Sequence, residues 1–281
     1  MRVYLAALIY NDFVEGSTVW NRLDEVERKA LKSVPWILDS YHYCHVDRMV
    51  KRIRESGREI FLDSGAFSSY TKGAHIDIDE YIEYVKENQD FIQFASVLDA
   101  IGDHNGTWRN QKYMESKGVQ PLPCFHYGEP DEVLEYYVAN YDYITIGGMV
   151  PISSSQLKVW LDQIWQKHLT NPDGTAKIKV HGFGLTSFKL MSRYPWYSVD
   201  SSSWVQLGGI GNIFFPQWGM LSVSDRAPSA VTGFIEDLGF DLERLRKSHW
   251  SRKCFNIITY NMMGEMQPED KTFTAPQPKL F

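Results

Sequence analysis

The feature that most restricts the fold is an alternation of two apolar periodicities along the chain. Strand-like runs occur at Val3–Ile9, Trp36–Tyr43, Glu59–Leu62, Phe91–Leu98, Gln120–Phe125, Tyr143–Ile146, Ile178–Phe183 and Trp196–Val199. Between them, apolar residues recur every three or four positions, as in Val46, Met49, Val50 and Ile53, or Leu157, Trp160, Leu161 and Ile164. A period near 3.6 marks an amphipathic helix, and short β-rich runs mark strands. Eight strands alternating with helices predict parallel βα units. No glycine-rich dinucleotide fingerprint follows the first strand, so the expected fold is an α/β (β/α)8 TIM barrel rather than an open doubly wound sheet. A barrel of about 250 residues would use nearly all of the chain's 281. The expected division is a catalytic barrel over residues 1–222, including the loop after strand eight, and a short helical appendage and tail over 223–281.

A barrel builds its active site at the C-terminal ends of its strands. The polar residues there are Asp63-Ser64-Gly65 after strand three, Asp99 after strand four, and His126-Tyr127-Gly128-Glu129 after strand five. Gly147-Gly148-Met149 follows strand six, His181-Gly182-Phe183-Gly184 lies at strand seven, and Asp200-Ser201-Ser202 follows strand eight. One aspartate after an apolar run is an ordinary turn former or helix cap. Three at equivalent positions face one mouth. Carboxylates packed together shift one another's pKa, so one can act as a nucleophile while another carries a proton. The glycines serve either turn geometry or close approach of backbone to a flat ligand.

Composition narrows the remaining classes. The apolar runs are too short and too interrupted for a transmembrane helix, so no membrane partner is expected. Met1–Ile9 has one basic residue and no small-residue cleavage site before Asn11, and reads as a first strand rather than a secretory leader. Cys44, Cys124 and Cys254 are scattered, give no disulfide framework, and fit a cytoplasmic setting. The net charge of −6 does not favour nucleic acid, although two stretches, Arg48–Arg58 and Arg244–Lys253, are locally basic. Each is either a solvated helix face or a phosphate track. His42-Tyr43-Cys44-His45 has metal-ligating residue types, but on strand two alternation would point neighbours to opposite faces, so no metal is expected there.

From about Ile60 to Ser203, in order along the chain, the motifs resemble those of the queuine/archaeosine tRNA-guanine transglycosylase superfamily. Phe61-Leu62-Asp63-Ser64-Gly65-Ala66-Phe67 resembles its Asp-Ser-Gly-Gly-(Phe/Tyr) signature, with Ala66 in place of the second glycine. Val97-Leu98-Asp99 resembles the guanine-recognising strand, and Ile146-Gly147-Gly148-Met149 resembles the Gly-Gly-Leu backbone site. Gly182-Phe183-Gly184 and Val199-Asp200-Ser201 resemble the Gly-x-Gly element and the nucleophile element. Phe125-His126-Tyr127-Gly128 stands where the family has Gln-Gly-Gly, so base contact there is altered. The family's Cys-x-Cys-x-x-Cys zinc run is missing, and in this and in its compact length the chain is most similar to the phage-encoded 7-deazaguanine DNA transglycosylases.

The resemblance implies a base-exchange glycosyltransferase that replaces guanine in DNA with a 7-deazaguanine such as 7-cyano-7-deazaguanine, with no cofactor and no metal. Asp200 is the implied nucleophile at C1′ and Asp63 the general acid/base. Asp99 accepts from the base edge, and Ser64, Gly65, His126, Gly147, Gly148, Gly182 and Gly184 belong to the substrate site. Phe67, Tyr127 or Met149 covers the base faces. The segment around Phe214 and Trp218 either fills the gap left by a flipped nucleotide or packs under the barrel mouth. Alternatives are a tRNA-guanine transglycosylase, a retaining glycoside hydrolase, and a non-catalytic nucleic-acid-binding barrel.

Overall fold

The computed structural model describes residues 1–185, 187–223, 229–268 and 270–274. In chain order the elements are β1 (Arg2–Ala6), α1 (Glu25–Lys32), β2 (Ile37–Ser40), α2 (Tyr41–Cys44), α3 (Asp47–Ser56), β3 (Ile60–Asp63), α4 (Ala66–Thr71), α5 (Ile78–Glu87) and β4 (Ile92–Ala95). There follow α6 (His104–Ser116), β5 (Cys124–His126), α7 (Asp131–Asn140), β6 (Tyr143–Gly147), α8 (Ser154–Ile164), β7 (Lys179–Gly182), α9 (Phe188–Met191) and β8 (Ser198–Ser201). Beyond β8 come α10 (Ser203–Gly209), the hairpin β9 (Asn212–Phe215) and β10 (Gly219–Ser222), then α11 (Ser229–Asp237), α12 (Leu242–Lys247) and α13 (His249–Glu265). Helix starts are chemically marked. Asp24 and Glu27 form a reciprocal capping box on α1, and Asp77, Ser153, Asp241 and Ser248 accept first-turn N–H groups of their helices.

β1 to β8 make one parallel sheet in the order β4-β3-β2-β1-β8-β7-β6-β5. Ring contacts show how strongly it curls. Phe61 on β3 and His181 on β7 are four ladder steps apart, about 19 Å in a flat sheet, yet their centroids are 4.6 Å apart. Phe94 on β4 and Tyr143 on β6, six steps apart, meet at 5.2 Å. The sheet's two outer strands approach at one parallel bridge, Ser96 with Leu122, where Leu122 N–H donates to Ala95 O (2.8 Å) and Val97 N–H to Leu122 O (3.0 Å).

Period-two alternation divides the core. Tyr4, Ala6, Leu38 and Phe61 pack with Phe94, Leu122 and Phe183 on the concave side. Val3, Leu5, Ile37, Ile60, Leu62 and Val199 face the helices in one continuous cluster that also takes in Phe255 and Ile257 of α13. This alternation places Asp63 on the same side as Phe61, and Asp200 on the same side as Ser198. α13 is tied in by Asn256, whose Oδ1 accepts from Phe214 N–H (2.8 Å) and whose Nδ2 donates to Trp204 O (3.0 Å).

Several expected boundaries shift. β1 stops at Ala6, because Ala7 takes a left-handed φ of 62° and turns the chain; Leu8 and Ile9 are then buried outside the sheet. β2 ends at Ser40, and Tyr41–Cys44 winds into a helical turn with Tyr41 packed on Tyr81 and Tyr84. His42, Cys44 and His45 are therefore not strand residues. Cys44 Sγ lies 3.5 Å from Tyr84 Oη, and His45 Nδ1 lies 2.8 Å from Tyr41 O. β8 runs two residues further than expected, so Asp200 lies within the strand. The glycine-rich segment from Gly208 closes α10 and opens the β9–β10 hairpin. Of the proline-containing tail from Gln267, residues 269 and 275–281 lie outside the described residues.

The basic stretches are largely committed to internal partners. Arg52 meets Asp12 (2.6 Å), Arg54 meets Asp90 (3.0 Å), and Arg58 donates to Val34 O (2.6 Å). Arg244 pairs with the fully buried Glu27 (2.6 Å), Arg252 donates to Gly208 O (2.9 Å) and Leu245 O (2.7 Å), and Arg246 pairs with Glu243. Arg48, Lys51 and Lys247 stay exposed. Most of the arginines in the two stretches therefore already have partners within the chain.

Candidate active site

A cleft of about 1030 Å³ opens at the C-terminal ends of the strands. Asp63, Asp99 and Asp200 line it, together with Phe67, His126, Tyr127, Gly147, Gly148, Met149 and Gly184. Ser64, Gly65 and Gly182 do not. Ser64 is buried and its N–H donates to Ser96 Oγ (2.9 Å). Gly65 has φ 77°, and a Cβ there would fall 2.6 Å from both His42 Cβ and Ser40 Oγ, so this glycine lets the β3–α4 turn close. Gly182 fits against Trp196. These three shape the site from behind. Phe214 is buried against Tyr260, and neither it nor the half-exposed Trp218 borders the cleft.

Asp200 is held by a directional chain. Its Oδ1 accepts from Gly184 N–H (2.8 Å) and from His181 Nε2 (3.3 Å). His181 is fully buried, and burial lowers its pKa, so the ring is neutral at pH 7. With Nε2–H donating to Asp200, Nδ1 must accept, and Ser198 Oγ lies 2.6 Å away to donate. Ser198 Oγ in turn lies 2.6 Å from Tyr143 Oη, which donates to it. Tyr143, Ser198 and His181 each donate one hydrogen bond along the chain that ends at Asp200. The result is a carboxylate fixed through Oδ1, with Oδ2 left for the cleft.

Asp63 has a different character. Burial, followed by the charges of Asp99 and Asp200, raises its pKa to about 7, against the opposing pull of the Gly65 N–H (3.1 Å) and Ser40. A carboxyl poised near neutrality can both give and take a proton.

Asp99 and His126 are neighbours across the sheet's junction. Asp99 Oδ2 lies 3.5 Å from His126 Nε2, and Asp99 Oδ1 is buried with no hydrogen-bond partner. His126 is gripped on its other side by Glu129: Nδ1 to Oε1 is 3.0 Å, and the backbone N–H of His126 donates to Oε2 at 3.0 Å. Cys124 Sγ stands 3.4 Å from Nε2. Burial disfavours a charged imidazole, but Cys124 and Asp99 outweigh it and raise the His126 pKa. Burial lifts the Cys124 thiol to about 11. Among the described residues, Asp99, Cys124 and His126 form a group whose ligand atoms all lie within 4.8 Å of one another.

Residues that sequence reasoning left out also border the cleft. Asp39 on β2 is 2% exposed, its Oδ2 has no partner, and burial raises its pKa to about 8. It falls inside an apolar strand run, where no strand-end rule would select it. Tyr10 and Tyr43 meet at 4.9 Å on the rim, and Lys72 Nζ donates to Tyr43 Oη (3.0 Å). Phe67 (54% exposed) and Tyr127 (37%) add aromatic surface at the mouth.

No family model matches the chain, and no curated protein matches it in sequence. Among the described residues no helix is long and apolar enough to cross a membrane.

Proposed function

We propose that the protein is a base-exchange glycosyltransferase that replaces guanine in DNA with a 7-deazaguanine through a covalent aspartyl–sugar intermediate. The observation that carries this reading is the convergence of Asp63, Asp99 and Asp200 from three strands on one cleft, in three different hydrogen-bonding states. In the same reading the curled sheet is a (β/α)8 barrel joined at the Ser96–Leu122 bridge, and the cleft is the mouth of that barrel.

Asp200, oriented through Oδ1, attacks C1′ with Oδ2. The C1′–N9 bond breaks as Asp63 delivers its proton to the departing guanine. The incoming 7-deazaguanine then loses a proton to Asp63 and displaces Asp200 from C1′, which restores both carboxyl groups without net hydrolysis. Two displacements with one carboxylate nucleophile keep the anomeric configuration, as in retaining glycosidases. The unpartnered Asp99 Oδ1 is a ready acceptor for a guanine-type N–H edge. Gly147 and Gly148 let backbone approach the far edge of a flat base. Phe67 and Tyr127 offer faces for stacking, and the target nucleotide must leave its stack to enter, at a cost of a few kcal/mol. The choice of DNA follows the sequence resemblance to the phage-encoded enzymes.

The test is a base-exchange assay with purified protein, 7-cyano-7-deazaguanine and either duplex DNA or unmodified tRNA, with nucleosides read by mass spectrometry. A 7-deaza nucleoside in DNA that depends on Asp200, checked with Asp200→Asn, is the expected result. Incorporation into tRNA alone would transfer the reading to the tRNA enzymes. Hydrolysis of a glycoside without exchange would replace it with a retaining hydrolase.

A further inference from the structure

We propose that Asp99, Cys124 and His126 form a three-ligand site for a zinc-type divalent cation on the floor of the cleft. Nothing along the chain pointed to a metal here: a Cys-x-Cys-x-x-Cys run is missing, and these donors come from two separate segments. Folding assembles them. Cys124 and His126 are two residues apart on β5, so alternation puts both side chains on one face. Asp99 follows β4, which the Ser96–Leu122 bridge brings beside the chain leading into β5.

Two of the three spacings match those around a metal, and the third pair of ligand atoms lies within 4.8 Å. A charge-assisted N–H···O bond is about 2.7–2.9 Å long, whereas Asp99 Oδ2 and His126 Nε2 are 3.5 Å apart. Cys124 Sγ to Nε2 is 3.4 Å. Around a tetrahedral zinc, with bonds of about 2.0–2.1 Å to N or O and 2.3 Å to S, neighbouring ligand atoms stand roughly 3.3–3.6 Å apart. The second shell agrees. Glu129 accepts from Nδ1–H at 3.0 Å and is itself held by the His126 backbone N–H, which leaves Nε2 as the ligating nitrogen. Carboxylates orient metal-bound imidazoles in this way. The register pairs His126 with Gly147, where a Cβ would lie 3.1 Å from both Cys124 Sγ and His126 Cδ2; the glycine keeps that space clear.

A thiolate and an imidazole beside one carboxylate select zinc-type ions over magnesium or calcium. Binding replaces the thiol proton of Cys124, which is released to solvent. Three protein ligands leave a further coordination position for water, or for an oxygen or nitrogen of whatever occupies the cleft. Asp99 would use Oδ2 here and keep Oδ1 for a base edge. The site does not rest on the base-exchange reading, and its test does not measure exchange.

The experiment titrates metal-stripped, full-length protein with Co²⁺. The expected result is a thiolate-to-cobalt charge-transfer band with intense tetrahedral d–d absorption, saturating at a single equivalent and displaced by Zn²⁺. Cys124→Ser should remove the charge-transfer band. Glu129→Gln should keep the band and weaken binding about 10–100-fold. Folded native protein that shows no such spectrum would overturn the site without recourse to a variant, and so would a band that survives intact in Cys124→Ser.

Discussion

Asp39 offers a test of the site's electrostatics that is independent of any assigned activity. It is 2% exposed, Oδ2 has no partner, and burial lifts its pKa from 3.8 to about 8. Between those two values the folded chain holds a proton that the unfolded chain has released. The associated stability is therefore complete below about pH 4 and is lost as pH rises through about 8, at a slope near 1.4 kcal/mol per pH unit. Asparagine has the same shape and does not titrate in this range. Asp39→Asn should shift stability by a constant offset and also remove that slope. The difference between variant and native protein should thus move in the variant's favour by about 3 kcal/mol between pH 5 and pH 7.5. Urea unfolding of both proteins at several pH values across this window measures it, and slopes from other titrating groups cancel in the comparison. A difference that stays flat with pH would refute the argument, because it would mean that Asp39 ionises in the folded state as easily as in the unfolded one.

Asp63, with its pKa near 7, should limit activity on the alkaline side: kcat/KM for exchange falls about tenfold per pH unit above neutrality, and in Asp63→Asn this limb disappears from a residual rate about 10²–10⁴ lower. A pH–rate profile of both proteins checks it. Gly65→Ala places a Cβ 2.6 Å from His42 Cβ and Ser40 Oγ at a positive φ, and should destabilise by about 2–3 kcal/mol in denaturant unfolding. Arg244→Met leaves Glu27 buried without its guanidinium. The expected loss is about 2–4 kcal/mol, below the range for wholly buried pairs because Arg244 itself is 35% exposed. The same variant, being an internal partner rather than a phosphate contact, should leave the salt dependence of DNA binding unchanged, as fluorescence anisotropy across a salt series would show.

Much of the architecture was legible because it rests on local rules. Periodicity near 2 and near 3.6 marked eight strand positions and the helices between them. Asp63, Asp99 and Asp200 were legible as cleft residues because parallel βα units bring their strand ends to one side. Boundaries were less so: Ala7's left-handed turn and the helical turn at Tyr41–Cys44 depend on packing against Tyr81, Tyr84 and the outer core, not on local propensity. The basic stretches were left open between two readings for a related reason, since the groups that hold Arg52, Arg54, Arg58 and Arg244 are distant in sequence.

The chain's order of apolar and polar residues alone determined an α/β protein with a parallel sheet and polar strand ends, because backbone periodicity and side-chain alternation act over a few residues. The tertiary structure alone decided what each polar group does. Asp63 titrates near neutrality only because burial and two other aspartates surround it. Asp200 is aimed only because His181, Ser198 and Tyr143 relay donors to it. Asp99, Cys124 and His126 become a candidate cation site only when the sheet curls and the Ser96–Leu122 bridge brings their segments together. Burial and charge proximity are properties of three-dimensional distance, and no reading along a one-dimensional chain contains them.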